Sequence, residues 1–336
     1  MKSRIFFLFG LMMILLVVGF QLAAPAAAKV NTYRLATQTM GAKSYLVAVP
    51  ISSVMNQYSK NVKVALDPVG RYLAVFEMIE KGEAMLGNAG GIATVPAFTG
   101  TASEAGHPRP MFRLGFNGPP KYFLLHTTKK TGITKVEDLR GKKVLGRQPA
   151  APTNELVTKG ILKAYGLTGQ VEILTVASPI EGRDALIEGI GDAFCMVTGS
   201  HMIDIDQAAG WVGLPIAADK VPIIAEMVPG FFAGKIPKGY LGLLKEDLPT
   251  LEFTETFIFH QDLPEEDAYT LVKAVFDHLD ACAKALPLLK EMTLEKGCTH
   301  VGIPFHSGSV KYFKEKGVWT AERERKQKEL ENKWLK

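Results

Sequence analysis

Cysteine is scarce in this chain, with three in 336 residues, at positions 195, 282 and 298. That is too few for a disulfide framework, and a chain of this length builds a core without one. Cys282 and Cys298 have the option of pairing in an oxidising compartment, while Cys195 sits in the apolar run 192–197 as a small buried residue. Long apolar runs are lacking too. Only a stretch at the extreme N-terminus is apolar enough to reach across a bilayer, which excludes a polytopic membrane protein. Charge of one sign is lacking as well. The 39 basic and 34 acidic side chains leave +5, spread along the chain, too weak a bias to imply nucleic acid.

Catalytic signatures are missing one after another. No H-E-x-x-H occurs, and the seven histidines lack ligand spacing, so no metal site is expected. No nucleophile elbow surrounds Ser200, which Thr198-Gly199 precedes and His201-Met202 follows. There is no Walker A sequence. Gly189-Ile-Gly191 begins a dinucleotide fingerprint, but Phe194 stands where the third glycine belongs and the segment enters a strand. Neither catalysis nor a cofactor has a positive sign here.

What is present begins with a leader. Lys2 and Arg4 precede an apolar run from Ile5 to Phe20, and Ala26-Ala27-Ala28 fits the small-x-small cleavage rule. Residues 1–28 are therefore expected to be a signal peptide cleaved near Ala28, which places the mature chain in the periplasm. Removing Lys2 and Arg4 brings the net charge closer to neutral.

Beyond the leader, short apolar runs alternate with amphipathic stretches, the pattern of βαβ units around parallel sheets. Strands are expected at 33–37, 62–66 and 84–88, with helices at 44–58 and 72–81 between them. Asn117-Gly-Pro-Pro120 then punctuates the chain. A second unit repeats the order, with strands at 122–126, 143–145, 171–176 and 193–197 and helices at 153–165 and 182–188. A strand at 253–260, a helix at 265–285 and a charged helix at 321–336 follow. The fold class is α/β, with two similar lobes and a cleft between them. The expected division is 29–118 plus 205–336 for the first lobe and 119–204 for the second.

In open α/β sheets, ligands bind beyond the carboxyl ends of strands, where helix N-termini offer free N–H groups. The loop after the first strand carries Thr39, Gly41, Lys43 and Tyr45, and the loop after the second carries Arg71. Asn88 and Gly90 end the third strand. In the second lobe Arg147, Thr153 and Asn154 occupy the matching loop. Basic or amide groups recurring at equivalent strand ends point to a small anionic ligand held without being transformed. Arg71 is the expected carboxylate clamp, because a guanidinium matches two oxygens, with Arg147 as second cation. Thr39, Tyr45, Asn88, Thr153 and Asn154 are the expected hydrogen-bond partners, and Gly41 and Gly90 admit close backbone approach.

Several segments resemble the TAXI-type solute receptors of tripartite ATP-independent periplasmic (TRAP) transporters. Gly41 and Tyr45 match the first-strand loop, and Lys81-Gly-Glu83 a short motif before the third strand. Gly132-Ile-Thr-Lys-Val-Glu-Asp-Leu-Arg-Gly-Lys142 and Asp184-Ala-Leu186 with Gly189-x-x-Asp192-Ala193 are similar to two more. The most specific is Ile303-Pro-Phe-His-Ser-Gly-Ser-Val-Lys-Tyr-Phe-Lys-Glu-Lys-Gly317. Departures fall at the pocket, where Gly70-Arg71-Tyr72 with Val75, and Ala151-Pro152-Thr153, replace the family's usual residues. The resemblance implies a periplasmic-binding-protein-like fold of type II, an amino-dicarboxylate or similar anion, and TRAP permease subunits as partners. Tyr240, in Lys238-Gly-Tyr240, resembles a family Gly-x-Tyr element, for which stacking on the ligand and packing in the core are the two alternatives. The alternatives are a receptor for an ATP-driven importer, a stand-alone sensor, and an exported enzyme on the same two-lobe fold.

Overall fold

The structure is a computed structural model that describes residues 30–149 and 151–335; the expected signal peptide lies outside the described residues. The first unit runs β1 (Asn31–Thr37), α1 (Lys43–Tyr58), β2 (Val62–Pro68), α2 (Tyr72–Glu80), β3 (Leu86–Gly90) and α3 (Gly91–Thr99). The long strand β4 (Phe112–Thr128) leads to β5 (Lys143–Arg147), α4 (Pro152–Ala164), β6 (Glu172–Thr175), α5 (Pro179–Glu188) and β7 (Ala193–Val197). Then come α6 (His201–Ala209), β8 (Trp211–Leu214), α7 (Val221–Met227), β9 (Phe232–Ile236) and a second long strand, β10 (Leu248–His260). The chain closes with α8 (Glu265–Phe276), α9 (Leu279–Ala285), α10 (Ser307–Glu315) and α11 (Ala321–Trp334).

Local chemistry accounts for many of these elements. In α8, Ala268, Leu271, Val272, Val275 and Phe276 fall on one buried stripe, with Glu265, Glu266 and Asp267 in the first turn and Lys273 in the last. The Ser178 side chain accepts from the Glu181 N–H to cap α5, and Gly189 ends it in the left-handed region at φ 79°. The expected helix 265–285 is divided at His278, whose φ of −134° and ψ of 37° break the helical run and whose ring stacks on Tyr58. Helix α3 escaped the sequence because Pro96 lies inside it. Its residues 91–98 are all buried, so packing holds the helix despite the lost N–H.

The strands form one sheet in the order β2-β1-β3-β10-β4-β7-β5-β6, with β8 paired to β4 and β9 to β10. β1 is parallel to β2 and β3, and β5 is parallel to β6 and β7. β4 and β10 run antiparallel through the middle and join two halves, giving the two-lobe α/β fold. Gly118, Pro119 and Pro120, expected to separate two units as a loop, lie inside β4. Proline is tolerated there because the register slips between Thr254 and Thr256 of β10, opposite that segment.

The hydrophobic clusters correct the expected lobe boundary. The first-lobe core gathers Leu35, Phe76, Phe116, Phe257, Leu271 and Phe313. The second lobe has a cluster on each face of its sheet. Val144, Cys195, Ile224 and Leu251 lie on one face, and Leu145, Phe194, Trp211 and Ile236 on the other. Residues 205–253, expected in the first lobe, therefore pack with the second. β8 pairs with residues 125–128 of β4, and β9 with residues 248–252 of β10, which carries both strands to that side. Cys195, Cys282 and Cys298 are all buried as free thiols, so Cys282 and Cys298 are unpaired. Among the described residues no helix is long and apolar enough to cross a membrane.

Candidate functional site

The strand ends of the two lobes meet. Lys43, which opens α1 after β1, donates its ammonium to the Thr198 carbonyl at the end of β7, 2.5 Å away. A second contact between the lobes is made by Tyr72, at the start of α2, whose phenol lies against the hydroxyls of Thr153, at the start of α4, and Ser103. Neither hydroxyl forms a hydrogen bond within normal limits, and both oxygens are buried. A cavity of about 210 Å³ takes its walls from both lobes and from the crossing strand, with Lys43, Lys121, Thr198 and Tyr240 among its polar residues. Larger open hollows, one around Ser178 to Glu188 and two beside α11, are each lined by a single lobe.

Below this cavity lies a buried charge pair. Glu255 of β10 is fully buried, and Lys121 of β4 pairs with its Oε2. Its Oε1 accepts from Asn88 Nδ2 at 2.8 Å, and the same amide donates to the Ser44 carbonyl at 2.9 Å. Asn88 Oδ1 remains buried without a partner. Because β3, β4 and β10 are neighbours in the sheet, three residues far apart in sequence form one network where the lobes join.

Lys43 keeps an exposed stem, while its ammonium sits within the protein mass between the lobes. That burial, followed by the charge of Lys121, pushes its pKa down to about 8. An anion placed between the two ammonium groups would relieve both effects.

Two histidines stand behind Thr198. His126 is wholly buried; its Nδ1 accepts from Trp211 Nε1–H at 3.0 Å. Its proton therefore sits on Nε2, which faces the Met196 carbonyl at 3.1 Å and His201 Nε2 at 3.5 Å. Burial holds His126 well below its ordinary pKa, and burial together with Lys43 pushes His201 down to about 4. Both rings are neutral at pH 7, so the positive charge of this region comes from lysine. Among the described residues no group of three or more His, Cys, Asp or Glu side chains is placed to hold a metal.

The expected site residues divide. Tyr240 lines the cavity: its Oη lies 3.1 Å from Thr198 Oγ1, and its ring meets Tyr122 edge-on. Asn88 does not line it but reaches it through Glu255 and Lys121. Thr153 and Asn154 are buried outside its lining, and Asn154 Nδ2 and Gln148 Nε2 approach Met196 Sδ. Gly90 is half-buried, and a Cβ there would lie 3.0 Å from the Phe253 ring. Tyr45 is half-buried in the first turn of α1, while Thr39 and Gly41 are exposed in a loop tied to the next by the Thr39 N–H and the Gly70 carbonyl. Arg71 is exposed and does not line the cavity, contrary to its expected clamp role. Arg147 is also exposed and turns to Glu155, 3.1 Å away, because that carboxylate stands in the first turn of α4 beside it.

Three residues carry more of the site than the sequence suggested. Lys43 appeared there only as one cation of a loop. Lys121 and Glu255 passed unnoticed inside apolar strands. Their signal was available: a lone charge in a run such as Phe253-Thr-Glu-Thr-Phe-Ile-Phe259 requires a partner once the strand is buried.

Several solved structures are similar to this chain. A Xanthomonas citri protein bound to ATP is 11% identical, with a TM-score of 0.51 over 88% of this chain and 99% of that one. The periplasmic aliphatic sulphonate binding protein SsuA from Escherichia coli is 15% identical, with a TM-score of 0.49 over 85% and 83%. Substrate binding domain 2 of Lactococcus lactis GlnP is 12% identical, with a TM-score of 0.45 over 78% and 94%. A family model described as NMT1-like matches residues 35–317, both lobes and most of the C-terminal helices, and the chain belongs to the NMT1-like family.

Proposed function

We propose that this protein is an exported receptor that closes its two lobes over a small organic anion and delivers it, unaltered, to a membrane importer. The observation that carries the reading is the Lys43 ammonium, beside the Lys121–Glu255 pair, at a cavity walled by both lobes. β4 and β10 are the natural hinge, since they alone run through both halves and are irregular at the crossing. A ligand touching Lys43 from one lobe and Thr198 or Tyr240 from the other favours the closed arrangement by its differential contacts. In this reading Lys43 holds the anion, the part expected from the sequence of Arg71 and Arg147.

The importer is the finer point. The first reading is an ATP-driven importer, because some similar folds carry the name of ABC transporters. The TAXI resemblance supports the second, an ion-gradient-driven TRAP permease.

The test is a thermal-shift screen of the purified protein against small acids, amino acids and sugars, followed by mass spectrometry of the recovered ligand. A ligand that binds only the folded form raises the midpoint, by about 2.7 kcal/mol of stability at a hundredfold excess over Kd. An acid that shifts the midpoint and returns unchanged supports the receptor. Conversion of the ligand, or no shift with any acid, sinks it. Uptake that survives ATP depletion but not collapse of the ion gradient separates the second importer from the first.

A further inference from the structure

We infer that the anion this cleft takes is a monoanion with an apolar body, a small aliphatic or aromatic acid, rather than an amino-dicarboxylate. The inference rests on the receptor reading and narrows its ligand.

It follows from counting charges around the cavity. Two ammonium groups face it, but Lys121 is already closed by Glu255. The second carboxylate oxygen of Glu255 is held by Asn88, so that pair is complete without a ligand. One cation remains, Lys43, and its hydrogen-bond partner is a neutral carbonyl, that of Thr198. A ligand with one negative charge matches it. A second carboxylate would find no further cation, since His126 and His201 are held neutral and Arg71 and Arg147 lie elsewhere.

An α-ammonium group fares no better. The wall contains two cations and no carboxylate of its own. Glu255 is committed below, and Glu291, which accepts from Tyr122 Oη at 3.3 Å, is not part of the wall. A cationic group entering beside Lys43 would meet like charge without a counterion.

The rest of the lining says what the body of the ligand is. Leu46, Pro120, Val197, Leu286 and Leu288 are apolar, and Leu46 and Leu288 are 50% and 37% exposed at its margin. Exposed leucines beside a cavity gain from being covered by hydrocarbon. The volume of about 210 Å³ equals that of about seven waters, which suits a short chain or a single ring.

The experiment compares 4-methylpentanoate and phenylacetate with their neutral amides, with glutamate and with succinate, by calorimetry and thermal shift on the purified protein. The monoacids are expected to bind at least tenfold tighter than their amides and than either dicarboxylate. Lys43→Met is expected to lower monoacid affinity at least tenfold while the unliganded midpoint stays near that of the parent, and Lys43→Arg to restore part of it. Glutamate or succinate binding more tightly than both monoacids overturns the inference and leaves the receptor standing. Amides binding as well as acids, or Lys43→Met binding as well as the parent, also overturns it. If no compound of this panel or of the wider screen binds, the receptor reading fails with it.

Discussion

In the first lobe β2, β1 and β3 lie side by side and β10 runs next to them; in the second, β6, β5 and β7 repeat that order beside β4. Equivalent strand ends therefore face one another, yet they carry unlike chemistry. The first lobe brings a free ammonium, Lys43, and the hinge adds a paired one, Lys121. The second lobe brings neutral groups: the Thr198 carbonyl, the Tyr240 hydroxyl, and two histidines that burial keeps uncharged. Its one cation in an equivalent loop, Arg147, is neutralised on the outside by Glu155. In the proposed receptor, repeated topology would place the ligand between the facing strand ends, and the division of charge would give the grip to the first lobe. Closure would then need only a neutral surface brought down onto the anion.

Four perturbations break or sharpen this contrast. Glu255→Ala has the largest expected effect. It strands Lys121 and the Asn88 amide at the junction of the lobes, and should cost about 3–5 kcal/mol in chemical denaturation. Glu255→Gln, which keeps a partner for Asn88, should cost less. In the second lobe, Gly146→Ala would set a Cβ 2.4 Å from Thr158 Oγ1, and overpacking of that kind costs about 1–3 kcal/mol. The same denaturation curves read it.

The third is pH. Lys43 binds an anion in its charged form, and its pKa stands at about 8, below its ordinary value. Anion affinity should therefore fall as pH rises through 8, by up to about tenfold per pH unit, and Lys43→Arg should flatten the profile. The unliganded protein should behave oppositely. With the folded-state pKa lowered, the unfolded chain holds more protons between pH 8 and the ordinary lysine range, so stability gains there as pH rises. Titration of affinity and of midpoint over the same range checks both signs. The smallest effects belong to the arginines. Arg71→Ala and Arg147→Ala should each change stability by less than about 0.5 kcal/mol and leave anion affinity within twofold. A tenfold loss at Arg71 would return the grip to the position first expected from the sequence.

Much of the architecture was legible because hydrophobic periodicity is a local signal. The alternation along 31–68 and 143–197 marks its strands and helices, although α5, expected at 182–188, begins earlier, at Pro179 behind the Ser178 cap. What was not legible depended on distant partners. Pro119 and Pro120 read as a break because their tolerance requires an irregularity in β10, between Thr254 and Thr256, far along the chain. Residues 205–253 read as part of the first lobe because nothing local shows that β8 pairs with β4. Asn88 and Thr153 are expected from strand-end position and Tyr240 from the resemblance, whereas Arg71 is expected for its guanidinium, a preference with no knowledge of direction.

The sequence by itself determined an α/β chain of two repeated units and the loops that can meet a ligand, since propensity and burial pattern are written within a few residues. The tertiary structure alone decided which cation is free. Whether a charge is available depends on what stands opposite it, and Glu255 reaches Lys121, as Glu155 reaches Arg147, only after strands and helices have been brought together.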